Sequence, residues 1–154
     1  MKTHIVTKDQ VKDGKYIGDV DLSNFDGHIE IEANLGAVNF TGRLAATGYI
    51  YAKAGSGIEA GWGIKAGSGI KAGWGIKAGS GIEAGSGIQS QLGITCKMTI
   101  NCGKRIFAGI CSWRDPDQSE TEIRCGKLES GEVAFGMLVE TGLPVKEIQP
   151  DPAQ

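Results

Sequence analysis

From residue 54 onward, apolar and polar positions follow a six-residue cycle: Ala-Gly-Ser-Gly-Ile-Glu, Ala-Gly-Trp-Gly-Ile-Lys, Ala-Gly-Ser-Gly-Ile-Lys, and so on. Isoleucine falls at 58, 64, 70, 76, 82 and 88, and the column continues through Ile94, Ile100 and Ile106. Cys96, Cys102 and Ala108 extend the small-residue column. Six is even, so a strand of period two keeps its facing through every repeat. Wherever the strand is unbent, Ile, Ala and the Ser/Trp position then share one side, and Lys/Glu and the two glycines share the other; a glycine-flanked bend would instead turn Trp62 and Trp74 outward, and both facings stay open. A helix of period 3.6 scatters the isoleucines around its surface, and glycine at this density opposes it by about 1 kcal/mol per residue. Hairpins are disfavoured as well, because Asn-Gly and Asp-Gly are missing from the repeat. The pattern therefore predicts an all-β β-solenoid in which each rung pairs with the rungs above and below it.

Charge sets the expected rung length. Three hexads per rung, about 18 residues, stack Glu59 on Lys77 and Lys65 on Glu83. Two hexads stack Lys53, Lys65 and Lys77 in one like-charged column while placing Trp62 under Trp74. Three is the favoured reading.

The flanks are less regular. Asp19-Val20-Asp21-Leu22 and His28-Ile29-Glu30-Ile31-Glu32 alternate as half-buried strands do, and Val38, Phe40, Leu44 and Ile50 fill core roles. Arg114-Asp115-Pro116-Asp117 is a turn signal. Candidate strands follow over residues 122–125 and 132–139, joined around Ser130-Gly131. A solenoid end needs covering, so residues 114–148 are expected to form a C-terminal β cap. The remaining assignments are a lead-in over 1–16, the solenoid over 17–113 and a frayed tail over 149–154.

Composition narrows the function classes. Glycine supplies 25 of 154 residues, yet with 4 prolines and no Gly-X-Y period the chain is not collagen-like. No signal peptide and no apolar run of membrane length is evident, so the expectation is a cytoplasmic protein with no membrane contact. Cys96, Cys102, Cys111 and Cys125 contain no C-x-x-C pair and read as reduced structural thiols rather than zinc ligands. Neither metal nor cofactor is expected. Net charge is −2 overall. Residues 53–114 carry eight Lys/Arg against two acids, whereas residues 115–154 carry three against nine.

Catalytic signatures are sparse. Gly55-Ser56-Gly57 belongs to a G-x-G-x-x-x-G spacing that recurs with no helix after it, unlike a dinucleotide loop. Hexapeptide solenoids include acyltransferases and carbonic anhydrases, which draw on histidines near the coils. The histidines here are His4 and His28, both outside the regular repeat. Three features suit recognition instead. They are the acidic run containing Asp19, Asp21, Glu30 and Glu32, the glycine-flanked Trp62 and Trp74, and the series Lys65, Lys71 and Lys77.

The run Gly-Ser-Gly-Ile-Lys-Ala-Gly-Trp-Gly-Ile-Lys-Ala resembles Gly-Ile-Lys-Ala repeat proteins of phages and prophages. The later segments Ile94-Thr-Cys-Lys-Met, Arg105-Ile-Phe-Ala-Gly-Ile-Cys-Ser-Trp and Ile123-Arg-Cys-Gly-Lys-Leu are similar to the same pattern. The resemblance implies a small mobile-element protein, a class that often inhibits host defences such as CRISPR systems. The leading expectation is thus a non-enzymatic phage-type protein that binds a host protein or complex through charged solenoid faces. Nucleic acid is the less favoured partner, and homo-oligomerisation stays open. A weaker similarity, to bactofilins, implies a polymer-forming scaffold as the alternative. A second alternative is an enzyme using Cys111, Cys125 or Asp117.

Overall fold

The structure is a computed structural model, and it describes residues 2–143. The expected tail over 149–154 and the end of the cap region lie outside the described residues. What is described is a three-sided stack of parallel strands, with the isoleucine columns meeting in the middle.

The first face stacks Thr3–Val6, His28–Ile31, Ile50–Ala52, Ile70–Ala72, Ile88–Ser90 and the later part of Thr99–Ala108. The second holds Gly36–Phe40, Ser56–Ala60, Ile76–Ala78, Ile94–Cys96, Glu122–Cys125 and Met137–Glu140. The third holds Leu44–Ala46, Ile64–Ala66, Ile82–Ala84 and the earlier part of Thr99–Ala108. Lys127–Phe135 pairs along Thr99–Ala108 and turns with it from the third face to the first.

Register confirms three hexads per coil. Ile58 pairs with Ile76 and Ile76 with Ile94, while Ile64 pairs with Ile82 and Ile82 with Ile100. Lys77 lies opposite Glu59, and Lys65 opposite Glu83. Each isoleucine of these columns is at most 2% exposed. Full burial of one such side chain is worth about 1.5–3 kcal/mol.

The 18-residue period begins only at Ile58. Ile50 pairs with Ile70 and Val38 with Ile58, a spacing of twenty residues. The corner over residues 53–57 is the cause, being two residues longer than Gly61-Trp62-Gly63. Gly55 turns through the left-handed region there at φ 79°. Ser56 points inward, its hydroxyl accepting from the Leu35 amide at 3.0 Å and donating to the Glu32 carbonyl.

Among the Gly-x-Gly positions Ser56 is fully buried, and the open question of Trp62 and Trp74 resolves outward. Trp62 is 71% exposed and Trp74 40%. Regular strands are only three residues long, Ile-x-Ala, so alternation ends at Ala and the corner carries the next side chain outward. The glycines serve that corner by allowing close approach. A Cβ built on Gly79 would run into the Gly61 carbonyl of the coil before, and one on Gly85 into the Gly67 carbonyl.

Two further expectations need correction. Asp19-Val20-Asp21-Leu22 is not a strand, because local hydrogen bonds curl it. The Tyr16 hydroxyl donates to the Val20 carbonyl, and the Ser23 amide and hydroxyl donate to Asp21 Oδ1 at 2.9 and 2.7 Å. Ser130-Gly131 is not a connection between strands. Gly131 sits inside Lys127–Phe135, where the register shifts against Thr99–Ala108, and the break comes at Gly136.

The C-terminal strands finish the stack by pairing in parallel as one more coil. Residues 109–121 first leave it in an excursion clasped by Arg114 and Glu120, whose two nitrogen–oxygen contacts are 2.7 and 2.9 Å. Leu128, Val133 and Leu138 then continue the Ile100, Ile106 and Ile123 columns at five-residue intervals. This last coil leaves Phe135, Met137 and Leu138 exposed. The opposite end is built differently. An antiparallel pair, Val11–Lys12 with Lys15–Tyr16, turns on Asp13 and Gly14, both at positive φ, and packs Tyr16 on Phe40.

Two outcomes test this packing. Ile70→Asp buries a charge in the column and should abolish the cooperative unfolding transition followed by circular dichroism. Gly79→Ala should cost about 1–3 kcal/mol in urea denaturation, against a change of about 0.5 kcal/mol or less for Ser80→Ala next to it. An unaffected Gly79→Ala would show that the corners are looser than described.

Candidate functional site

Every regular strand presents one outward side chain, the x of Ile-x-Ala, and parallel stacking sets these in ladders. On the second face the ladder runs Asn39, Glu59, Lys77, Thr95, Arg124. Arg124 is paired with Glu122 at 2.9 Å, and Asn39 donates to Glu59 at 3.3 Å. On the third face it runs Ala45, Lys65, Glu83, Asn101, with Lys65 and Glu83 4.0 Å apart. On these two faces Lys65 and Arg124 are ion-paired, while Lys77 is in register with Glu59 without forming an ion pair among the described residues.

The first face differs. Its ladder is Glu30, Tyr51, Lys71, Gln89, Phe107. Tyr49 stands beside it at the corner. A shallow groove of about 490 Å³ runs along this face, lined by Tyr49, Tyr51, Lys71, Gln89, Lys104 and Phe107 together with Arg105. Its floor is mostly aromatic and aliphatic carbon. Lys71 Nζ sits over the Tyr51 ring, 5.1 Å from its centroid. Among the described residues neither Lys71 nor Lys104 forms an ion pair, while Arg105 is held by Glu132 at 3.3 Å.

The N-terminal edge of the groove is tied down. Tyr49 stacks on His28 with centroids 3.9 Å apart, its amide donates to His28 Nδ1 at 3.0 Å, and its hydroxyl donates to Glu30 at 2.6 Å. The carboxylate of Glu30 raises the Tyr49 phenol above its ordinary range. Lys53 lies 3.6 Å from the same carboxylate.

The residues singled out from sequence are mostly dispersed. Lys65, Lys71 and Lys77 are one hexad apart, so they occupy the third, first and second faces and never form a patch. Asp19 and Asp21 lie in the N-terminal loop. Glu30 is engaged by Tyr49 and Lys53, and Glu32 accepts from the Lys8 amide at 3.1 Å. Trp62 and Trp74 sit at different corners. Trp74 shares a cleft with Trp113, Leu35 and Asn34. Of the nine residues, Lys71 alone lines the groove. Tyr49, Tyr51, Lys104, Arg105 and Phe107 were not singled out. Tyr51 and Phe107 are 56 residues apart, and only the coil lengths bring them onto one face.

The cysteines behave as packing groups. Cys96, Cys102 and Cys125 are free and buried, with Cys96 stacked on Ala78 and Cys102 on Ala84. Burial raises all three thiols, Cys96 to about 12. Cys125 is therefore a poor nucleophile. Asp117 sits at the start of the turn Gln118–Thr121, its amide donating to Glu120 at 2.9 Å. Among the described residues no group of three or more His, Cys, Asp or Glu is placed to hold a metal ion. No helix there is long and apolar enough to cross a membrane.

No protein-family model matches the chain, and no curated protein or solved structure matches it either.

The cysteine environment has a pH signature. A thiol whose pKa is raised on folding keeps its proton while the unfolded chain loses it near the ordinary value of 9.0. Stability should hold below that pH and decline as pH rises from 9.0 toward about 12. Cys96→Ala, which continues the small-residue column, should flatten this alkaline decline in thermal melts. An equal decline in both proteins would place its origin elsewhere.

Proposed function

We propose that this chain is a non-enzymatic binding module that docks an acidic surface of another protein onto its first face. The setting is the one implied by its repeat: a small phage-type protein that blocks a host defence protein, such as a CRISPR component. The observation carrying this reading is the groove itself. Lys71 and Lys104, neither in an ion pair among the described residues, stand around a floor of Tyr49, Tyr51 and Phe107, an aromatic lining that the outward ladders of the other two faces lack.

Supporting features are the rigidity of a hydrogen-bonded stack and the occupation of its reactive groups in packing. Side chains on stacked strands are already ordered, so docking costs little further entropy. His28 is stacked on Tyr49, His4 packs edge-on against Tyr16 and Phe25, and three of the four thiols are buried.

Affinity capture from host lysate with face-specific variants tests the reading. Tyr51→Ser combined with Lys71→Glu should reduce recovery of a stoichiometric partner at least about tenfold, as expected for central interface residues. Lys65→Glu and Lys77→Glu, on the other faces, should leave it within about twofold. Wild-type association should also slow as salt rises. A partner lost only from the Lys65 or Lys77 variant would move the interface off the first face.

One observation favours a second reading, self-association. The last coil exposes Leu138 at 37%, in the column where earlier coils bury Ile94 and Ile123, with Met137 exposed beside it. The N-terminal end differs in shape, with its second-face edge taken by the β-hairpin, so such contact would join two C-terminal ends and close as a dimer instead of extending as a filament. Light scattering should then give a dimer mass that Leu138→Glu converts to monomer. A monomer at every concentration removes this reading.

A further inference from the structure

The groove has a periodicity, and it specifies a ligand more narrowly than "acidic partner". Tyr51, Lys71, Gln89 and Phe107 occupy four successive coils in register. Adjacent strands lie about 4.8 Å apart, so Tyr51 and Phe107 are separated by about 14 Å along the stack. An extended peptide advances about 3.4 Å per residue and places every second side chain on one side. Four residues of such a peptide also cover about 14 Å.

We propose that the first face binds an extended segment of a partner protein with apolar side chains at positions i and i+4 and a carboxylate at i+2. The end positions meet Tyr51 and Phe107. The middle position falls between Lys71 and Gln89, an ammonium and an amide donor suited to a carboxylate. Lys104 adds charge at the corner of the groove. This inference rests on the binding-module reading and narrows the partner to a segment of defined pattern.

The same geometry weighs against single-stranded nucleic acid. Base stacking needs open ring faces and a track of cations along the phosphates. Here Tyr49 gives one ring face to His28. Arg105 is engaged by Glu132. Two unpaired lysines release too few counterions for strong binding to a polyanion.

The experiment uses fluorescence anisotropy with three labelled probes and the full chain. One is a glycine-flanked peptide of sequence Phe-Glu-Glu-Glu-Phe, the second its permutation Glu-Phe-Phe-Glu-Glu, and the third a short oligodeoxythymidine. The first peptide should bind at least about tenfold more tightly than its permutation, a separation that follows from losing one anchor. Lys71→Glu with Lys104→Glu should weaken it about tenfold or more, and so should Tyr51→Ser with Phe107→Ser. Lys65→Glu with Lys77→Glu should leave it within about twofold. Circular dichroism and melting of each variant establish that the stack persists, as expected for outward positions. Undetectable binding, equal binding of the two peptides, or tighter binding of oligodeoxythymidine overturns the inference. Those results leave the binding-module reading to the capture experiment, which loses its partner from the first-face variant whatever the partner's segment looks like.

Discussion

The backbone spacing between coils is the constraint on which the structure depends. Strands hydrogen-bonded in parallel sit about 4.8 Å apart, and at the corners nothing larger than a hydrogen fits between one coil and the next. Gly67, Gly79, Gly85 and Gly103, each against a backbone carbonyl of the coil before, are among the tightest of these points. The high glycine content is therefore packing rather than flexibility. Once the coils are held at that distance, the isoleucine columns close into a continuous core and the outward positions fall into ladders. Residues six apart in sequence land on different faces, and residues one coil apart become neighbours. That conversion determines which charges meet, and it explains why Lys65, Lys71 and Lys77 do not form one patch.

The ladders also show why the three faces differ although they share one repeat. On the second and third faces each outward position is polar, small or charged, and neighbours complement one another, as with Lys65 and Glu83. On the first face the coils before and after the regular repeats supply Tyr51 and Phe107. The groove thus arises where regular coils meet irregular ones. The longer corner over residues 53–57 contributes as well, because it sets the register that puts Tyr51 under Lys71.

The fold class, the rung length and the inward isoleucines were legible from sequence because each rests on periodicity or on charge opposition at a fixed spacing. Glu59 against Lys77 was enough to prefer three hexads over two, and the register agrees. Features that depend on where a strand bends were not legible. The facing of Trp62 and Trp74 stayed open in the sequence because strand alternation points them inward while a glycine-flanked bend turns them outward, and the bend wins. Asp19–Leu22 alternates like a strand, yet the side chains of Asp21 and Tyr16 hold the local backbone in turns. The groove was hidden for a third reason. Tyr51 and Phe107 line up only if one coil of twenty residues and two of eighteen lie between them, and the repeat alone announces eighteen.

Stability and recognition are carried by different positions of the same motif. In Ile-x-Ala the isoleucine and alanine are buried, while x projects from the sheet. A substitution at x changes a ladder without touching the core, apart from the small energies of cross-strand pairs. Insertions behave differently. Two residues added at a corner, as over residues 53–57, shift every later position relative to the earlier coils and so regroup the ladders. Point changes therefore adjust the chemistry of a face, and corner length decides which positions share that face. The aromatic and cationic groove depends on both, with Tyr51 and Lys71 at x positions and the extended corner bringing them together.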